Sequence, residues 1–150
     1  MSLFLSTFDN KIDTKGRVSL PASFREVLWE NSKKSLVIYE SSINPCIEGC
    51  SILRIEELSN KIDTLDPFSQ EKDAFASIIL GGSVKLDFDK DGRILLPKHL
   101  MDFAKIKDNA TFIGKGNIFE IWNRELLDKH LIEARKQIIN SRGIFKKNDN

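Results

Sequence analysis

The chain is 150 residues long, 41% hydrophobic and 30% charged, which describes an ordinary globular protein of one compact domain or two small repeated halves. Its formal net charge of +1 neither demands nor forbids nucleic acid, so any basic surface has to come from local clustering or from assembly of copies. No apolar run approaches the length of a membrane span, and Met1-Ser2-Leu3 lacks the basic region that precedes a signal-like core, so a cytoplasmic protein with no membrane partner is expected.

In chain order, Phe4-Leu5-Ser6-Thr7-Phe8 reads as a short strand. It leads into Ile12-Asp13-Thr14-Lys15-Gly16-Arg17-Val18-Ser19-Leu20-Pro21. Asp at the first turn position and Gly at the fourth suit a type I turn closed by a left-handed glycine, a common hairpin closure. Asp13 and Arg17 then stand on opposite stems, near enough for the carboxylate to orient the guanidinium. A strand over 17–20 follows, and Pro21 opens a helix. Phe24, Val27 and Leu28 give that helix one apolar face at i, i+3 and i+4. Leu36-Val37-Ile38-Tyr39 and Ser51-Ile52-Leu53 read as buried strands on either side of the Asn44-Pro45 loop. Ile55, Leu58 and Ile62 mark a helix that stops at Asp63-Thr64-Leu65-Asp66-Pro67. The next helix, over 70–80, carries Phe75, Ile78 and Ile79, and Gly81-Gly82 ends it.

The second half repeats the first. Phe88-Asp89-Lys90-Asp91-Gly92-Arg93-Ile94-Leu95-Leu96-Pro97 restates the turn grammar at a shift of 76 residues. A strand over 83–88 leads into it and one over 93–96 leaves it. Pro97 starts a helix with Leu100, Phe103 and Ala104 inward, the counterparts of Phe24, Val27 and Leu28. Strands over 111–114 and 118–122 mirror the earlier pair. A closing helix over 124–140 places Leu127, Leu131, Ala134 and Ile138 on one face, and a polar tail over 142–150 frays. The expected organisation is a first unit over 1–54, connecting helices over 55–82, a second unit over 83–123, and a C-terminal helix and tail over 124–150.

One such turn is accounted for as a hairpin with a salt bridge. Two at matched places suggest a repeated job. An arginine at the root of a stiff turn suits a groove of double-stranded DNA: its fork matches guanine O6 and N7, and turn amides meet phosphates. Lys11, Lys15, Arg17 and Arg25 cluster at the first copy; Lys85, Lys90, Arg93 and Lys98 cluster at the second, where Asp91 replaces Lys15. From turn Asp to Arg the first copy is net +1 and the second neutral, which favours the first as base reader. Each phosphate contact is modest and salt-screened, so useful affinity calls for several turns presented by an oligomer.

An enzyme is not expected. The chain has no Gly-x-Gly-x-x-Gly, no phosphate-loop signature and no Cys/His nucleophile pair; Gly81-Gly82 and Gly114-Lys115-Gly116 read as turns. Asp13 and Asp89 are brought together as a carboxylate pair by nothing except the repeat. His130 reads as a helix-surface or edge residue. Cys46 and Cys50 are spaced loosely for zinc, with His99 and His130 far off, and read as loop thiols; no metal or cofactor is expected. The rival reading is a ring-shaped scaffold binding proteins or polar ligands through its turns. It would gain if Trp29, Phe68 and Phe145 formed one exposed patch; they are expected instead in the core or at an interface between copies.

These motifs resemble the MraZ family, bacterial transcriptional regulators of the division and cell-wall gene cluster. The resemblance covers nearly the whole chain and rests on the two ten-residue turn motifs, on Phe24-Arg25-Glu26, and on Phe119-Glu120-Ile121-Trp122. It implies an α+β fold of two tandem AbrB-like swapped-hairpin β units that interlock into a double-psi-type β-barrel with flanking helices. It also implies ring-shaped homo-oligomers at the nucleoid that bind short G-rich direct repeats in their own promoter, usually as repressors. Carried onto this sequence, the DNA-contacting residues are Asp13, Lys15 and Arg17, then Asp89 and Arg93. Asp organises each turn and holds Arg; Arg and Lys meet base edge or phosphate. The chain departs from the family's usual pattern at Leu5-Ser6, where glycine is common two residues after an early Phe, and at Lys85, where an acidic residue is common.

Overall fold

The computed structural model describes residues 2–31 and 35–145. Among these the chain runs β1 (Thr7–Lys11), β2 (Arg17–Ser19), α1 (Ala22–Asn31), β3 (Ser35–Glu40), β4 (Ile47–Cys50), α2 (Ile52–Asp63), α3 (Gln70–Phe75), β5 (Val84–Asp87), β6 (Arg93–Leu95), α4 (Lys98–Ala104), β7 (Asn109–Gly114), β8 (Phe119–Trp122) and α5 (Arg124–Asn140). A π-helical turn, Ala76–Leu80, continues α3. An antiparallel sheet of six strands, β1-β7-β8-β4-β3-β5, and a two-stranded ribbon, β2-β6, make the fold α+β, as the sequence implies.

The duplication is written into the sheet. Exchanging each strand with its counterpart (β1 with β5, β3 with β7, β4 with β8) turns the strand order into its own reverse. The pseudo-twofold passes through Glu48 opposite Glu120 in β4–β8, and through Val18 opposite Ile94 in β2–β6. The helices obey it too. Ser51 caps α2 by accepting from the Arg54 amide and Asn123 caps α5 by accepting from the Leu126 amide, each satisfying an orphan first-turn N–H.

The strands beside each turn do not zip into an ordinary hairpin, which corrects the expectation for this segment. An Ile12–Val18 bridge links the stems of the first turn, after which the partners part. β1 pairs with β7 and β5 with β3, while β2 pairs with β6, so each half lends its strands to the other. Strands of three residues offer little pairing on their own. Joined across the pseudo-twofold, they put Val18 and Ile94 fully inside the core.

That core lies between α1, α4 and the inner face of the sheet. Phe24 of α1 sits at its centre, with ring centroids 5.3 Å from Phe4, 5.6 Å from Phe8 and 5.2 Å from Phe119. Gly49 is needed beneath this cluster, because a Cβ there would lie 2.4 Å from the Phe119 ring. The outer face is covered by α2 and the π-helical turn around Tyr39, Cys50 and Ile79, and by α5 around Cys46, Trp122 and Leu127.

Several sequence expectations need correction. The opening strand begins at Thr7, and Phe4 makes only an isolated bridge to Gly116. Ser51-Ile52-Leu53 is not a strand: Ser51 caps α2, and the strand is Ile47–Cys50 just before it. The helix over 70–80 widens into the π-helical turn, which changes the phase of its apolar residues, so Ile79 is buried while Phe75 and Ile78 stay exposed. In α4, Leu100 and Ala104 are inward, but Phe103 reaches the surface. On α5, Leu127 is buried while Leu131 and Ile138 are exposed, because the helix runs on past the sheet that covers its first turns. Cys46 lies in the loop ahead of β4, as the sequence suggests, but Cys50 does not. Both are free and fully buried, Cys50 within β4, and burial pushes the Cys50 thiol up to about 12. Trp29, Phe68 and Phe145 are exposed rather than in the core of the chain. Residues 146–150 of the tail lie outside the described residues. Among the described residues no helix is long and apolar enough to cross a membrane.

Candidate nucleic-acid interface

Each turn is built by one aspartate. Asp13 Oδ1 accepts from the backbone N–H of Lys15 and of Arg17, both at 2.9 Å, and its Oδ2 accepts from Arg17 Nε at 2.6 Å. Asp89 repeats the set: Oδ1 takes the Asp91 and Arg93 amides, both at 2.9 Å, and Oδ2 takes Arg93 Nε at 2.9 Å. Gly16 N–H bonds to the Asp13 carbonyl at 3.0 Å and Gly92 N–H to that of Asp89 at 3.1 Å. Both glycines hold positive φ, 89° and 75°, the left-handed closure that the motif predicts.

Each carboxylate thus serves the turn through Oδ1 and its arginine through Oδ2. Asp13 holds the Arg17 guanidinium by Nε, and the side chain stays about one-third exposed (37%). The backbone amides of Arg17 and Arg93 hold the carboxyls of Asp13 and Asp89 below the usual carboxylate range, with the guanidinium bonds adding to this and partial desolvation opposing it. A depressed carboxyl keeps its contribution at every pH above its unfolded value, near 3.8, and loses it as pH falls through the folded value. The turn geometry is therefore expected to persist from neutral pH down to about pH 4 and to come apart below it. Carboxyl carbon shifts of Asp13 and Asp89, followed by NMR titration, check this; a midpoint above 4 for either would contradict it.

The exchange of strands brings the two turns side by side. Leu96 N–H bonds to the Gly16 carbonyl at 3.0 Å and Leu20 N–H to the Gly92 carbonyl at 3.3 Å, so each turn is anchored to the other half's strand. Arg93 Nη1 lies 3.9 Å from Asp13 Oδ2. Asp13, Arg17, Asp89 and Arg93 thus form one cluster, and Lys15 is exposed beside it on the tip of the first turn. The lysines Lys98 and Lys107 flank the first turn along a groove of about 390 Å³.

Arg25 has a part that sequence reasoning missed. Its Nη1 donates to the Leu20 carbonyl at 2.8 Å, and its guanidinium packs where a Cβ on Gly92 would stand, 2.7 Å away. The first half's helix therefore braces the second half's turn. The Phe24-Arg25-Glu26 run was the available signal, but a contact across halves is invisible to local pattern. His130 is an edge residue as expected, half-buried and stacked on Trp122 with centroids 4.9 Å apart. Among the described residues no group of His, Cys, Asp and Glu is arranged to hold a metal ion.

Comparison with known proteins agrees with the resemblance. A family model described as "MraZ protein, putative antitoxin-like" matches residues 79–141. The transcriptional regulator MraZ of Rickettsia akari (strain Hartford) is 48% identical over 136 residues, covering 91% of each chain. That of Rickettsia canadensis (strain McKiel) is 47% identical over 136 residues, and that of Rickettsia bellii (strain OSU 85-389) 48% over 137, again covering 91% of each chain. With the duplicated turns and identity at this level along nearly its whole length, the chain belongs to the MraZ family, a family of transcriptional regulators and not of enzymes.

Proposed function

We propose that the protein is a sequence-specific DNA-binding regulator that represses the division and cell-wall gene cluster by binding short G-rich direct repeats in its own promoter. It works in the cytoplasm, at the nucleoid, without a cofactor. The reading head is the cluster of Asp13, Lys15 and Arg17 with Asp89 and Arg93. The observation that carries this reading is the aspartate clamp, which fixes each arginine by Nε at the root of its turn and leaves the Arg17 side chain about one-third exposed. Bidentate pairing to guanine needs such a pre-set fork. Residues 1–54 and 83–123 are then the two AbrB-like units, their exchanged strands the swapped hairpins, and the two together a double-psi-type barrel. The test is a gel-shift titration with DNA from upstream of the protein's own gene. Promoter DNA is expected to bind at least about tenfold tighter than random duplex and to weaken steeply with salt. Equal binding to both duplexes would remove the sequence-specific reading.

The functional unit is a ring-shaped homo-oligomer. Supporting this, the outer half of α5 exposes Leu131, Ile132, Ile138 and Ile139 along an apolar groove. Residues 52–75 carry six acidic and three basic side chains, against four basic and one acidic over 129–142. The α5 face of one copy therefore suits the α2–α3 region of the next, a head-to-tail contact of the kind that closes rings. Ile138→Asp is expected to reduce the assembly to smaller species by light scattering while leaving the circular dichroism of the chain unchanged. An unaltered mass would move the interface elsewhere. The same exposed stripe favours the rival reading, a ring scaffold for protein partners; its binding would resist salt, whereas DNA binding does not.

A further inference from the structure

The two turns match bond for bond in their backbones but differ in what surrounds the arginine. Among the described residues, Arg17 has one carboxylate partner, Asp13. Arg93 has three: Asp89 at Nε (2.9 Å), Asp91 at Nη2 (3.4 Å) and Asp13 at Nη1 (3.9 Å). Every nitrogen of the Arg93 guanidinium faces an acidic oxygen. Asp91 stands where the first turn carries Lys15, so the same place adds positive charge to one head and takes it from the other.

An arginine meets guanine or phosphate through two parallel N–H groups. On Arg93, Nη2 of that outer pair is bonded to Asp91 at 3.4 Å and Nη1 lies within ion-pair range of Asp13 at 3.9 Å. A phosphate approaching Arg93 would also meet the Asp91 charge. Resting on the reading that these turns bind DNA, we propose that Asp91 is a restraint that weakens the share of Arg93 in the reading head and leaves Arg17 as the main base contact of the chain. Each copy then contributes one main base contact, and the direct repeats are read chiefly by neighbouring copies rather than by the two turns of one chain. Asp91 touches no DNA in this account; it acts through Arg93 as a positioning residue.

The test is Asp91→Asn in the full chain, since asparagine keeps the shape and suits the turn. Binding to the protein's own promoter duplex is read by fluorescence anisotropy at several salt concentrations. The variant is expected to bind about 3- to 10-fold tighter, with a log–log salt slope steeper by about one unit, as one more cation engages the backbone. Both gains should vanish when Arg93→Ala is added. Asp87→Asn, which neutralises an exposed carboxylate nearby, should change affinity less than about twofold, as screened surface charge does. No gain in Asp91→Asn, the same gain without Arg93, or the same gain from Asp87→Asn would each overturn the restraint. Failure of the wild type to prefer its promoter would bring it down together with the DNA reading; intact preference with an inert Asp91→Asn would sink the restraint alone.

Discussion

Arg17→Ala is expected to abolish preferential binding to promoter DNA and to leave the fold and the assembly in place. The two effects separate on physical grounds. The Arg17 side chain is about one-third exposed (37%), and its ion pair with Asp13 faces solvent, a class of interaction that adds little to stability. Asp13 keeps its two backbone amide bonds when the guanidinium goes, so the turn survives. On DNA the loss is different in kind. A bidentate arginine–guanine pair is worth roughly 1–3 kcal/mol of discrimination, and two copies on two repeats lose about twice that, at least about thirtyfold in affinity. Residual binding through the lysines should persist at low salt and fail to distinguish promoter from random duplex. The measurement is the ratio of the two dissociation constants, with light scattering on the same sample. If the variant falls apart as an assembly, the arginine is structural and its assigned role is wrong.

Phe24→Ala is expected to be the most damaging single core change. Phe24 is fully buried and touches rings from segments that are far apart in sequence: Phe4 and Phe8 beside it, Phe112 and Phe119 from the other half. Its removal leaves a hole where the two halves interlock, and no flexible neighbour among these rings can close it. Phe→Ala in such a site costs about 3–5 kcal/mol, which for a chain of this size lowers Tm by roughly 6–20 °C. Thermal unfolding by circular dichroism checks it; a drop under about 2 °C would mean that the ring cluster is not the centre of the core.

What the sequence made legible follows the range of the forces involved. The turns were readable in full, because Asp, Gly and Arg act within five residues of one another and nothing distant can override them. The closing helix was readable end to end for the same reason, as an unbroken periodic run. The exchange of strands was not, since pairing β2 with β6 depends on a register set by the other half. Ser51-Ile52-Leu53 misled because three apolar-leaning residues fit strand and helix alike; the Ser51 cap ahead of Ile55 and Leu58 was the signal that decides it. The apolar spacing of Leu131 and Ile138 correctly marked a face, but periodicity does not say whether its cover comes from the same chain. The Asp, Gly and Arg of the two turns lay within the legible part. Their neighbourhood, with Arg25 beneath Gly92 and Asp13 beside Arg93, did not.

The measurement that bears most directly on the account is guanine methylation interference on the protein's own promoter. Methylation at N7 removes the acceptor that an arginine fork needs in the major groove. The account predicts that methylating the guanines of the direct repeats prevents binding by the wild type, and that the weak residual binding of Arg17→Ala is indifferent to it. Wild-type binding that tolerates N7 methylation throughout the repeats would contradict the claim that these turns read guanine, whatever the affinity.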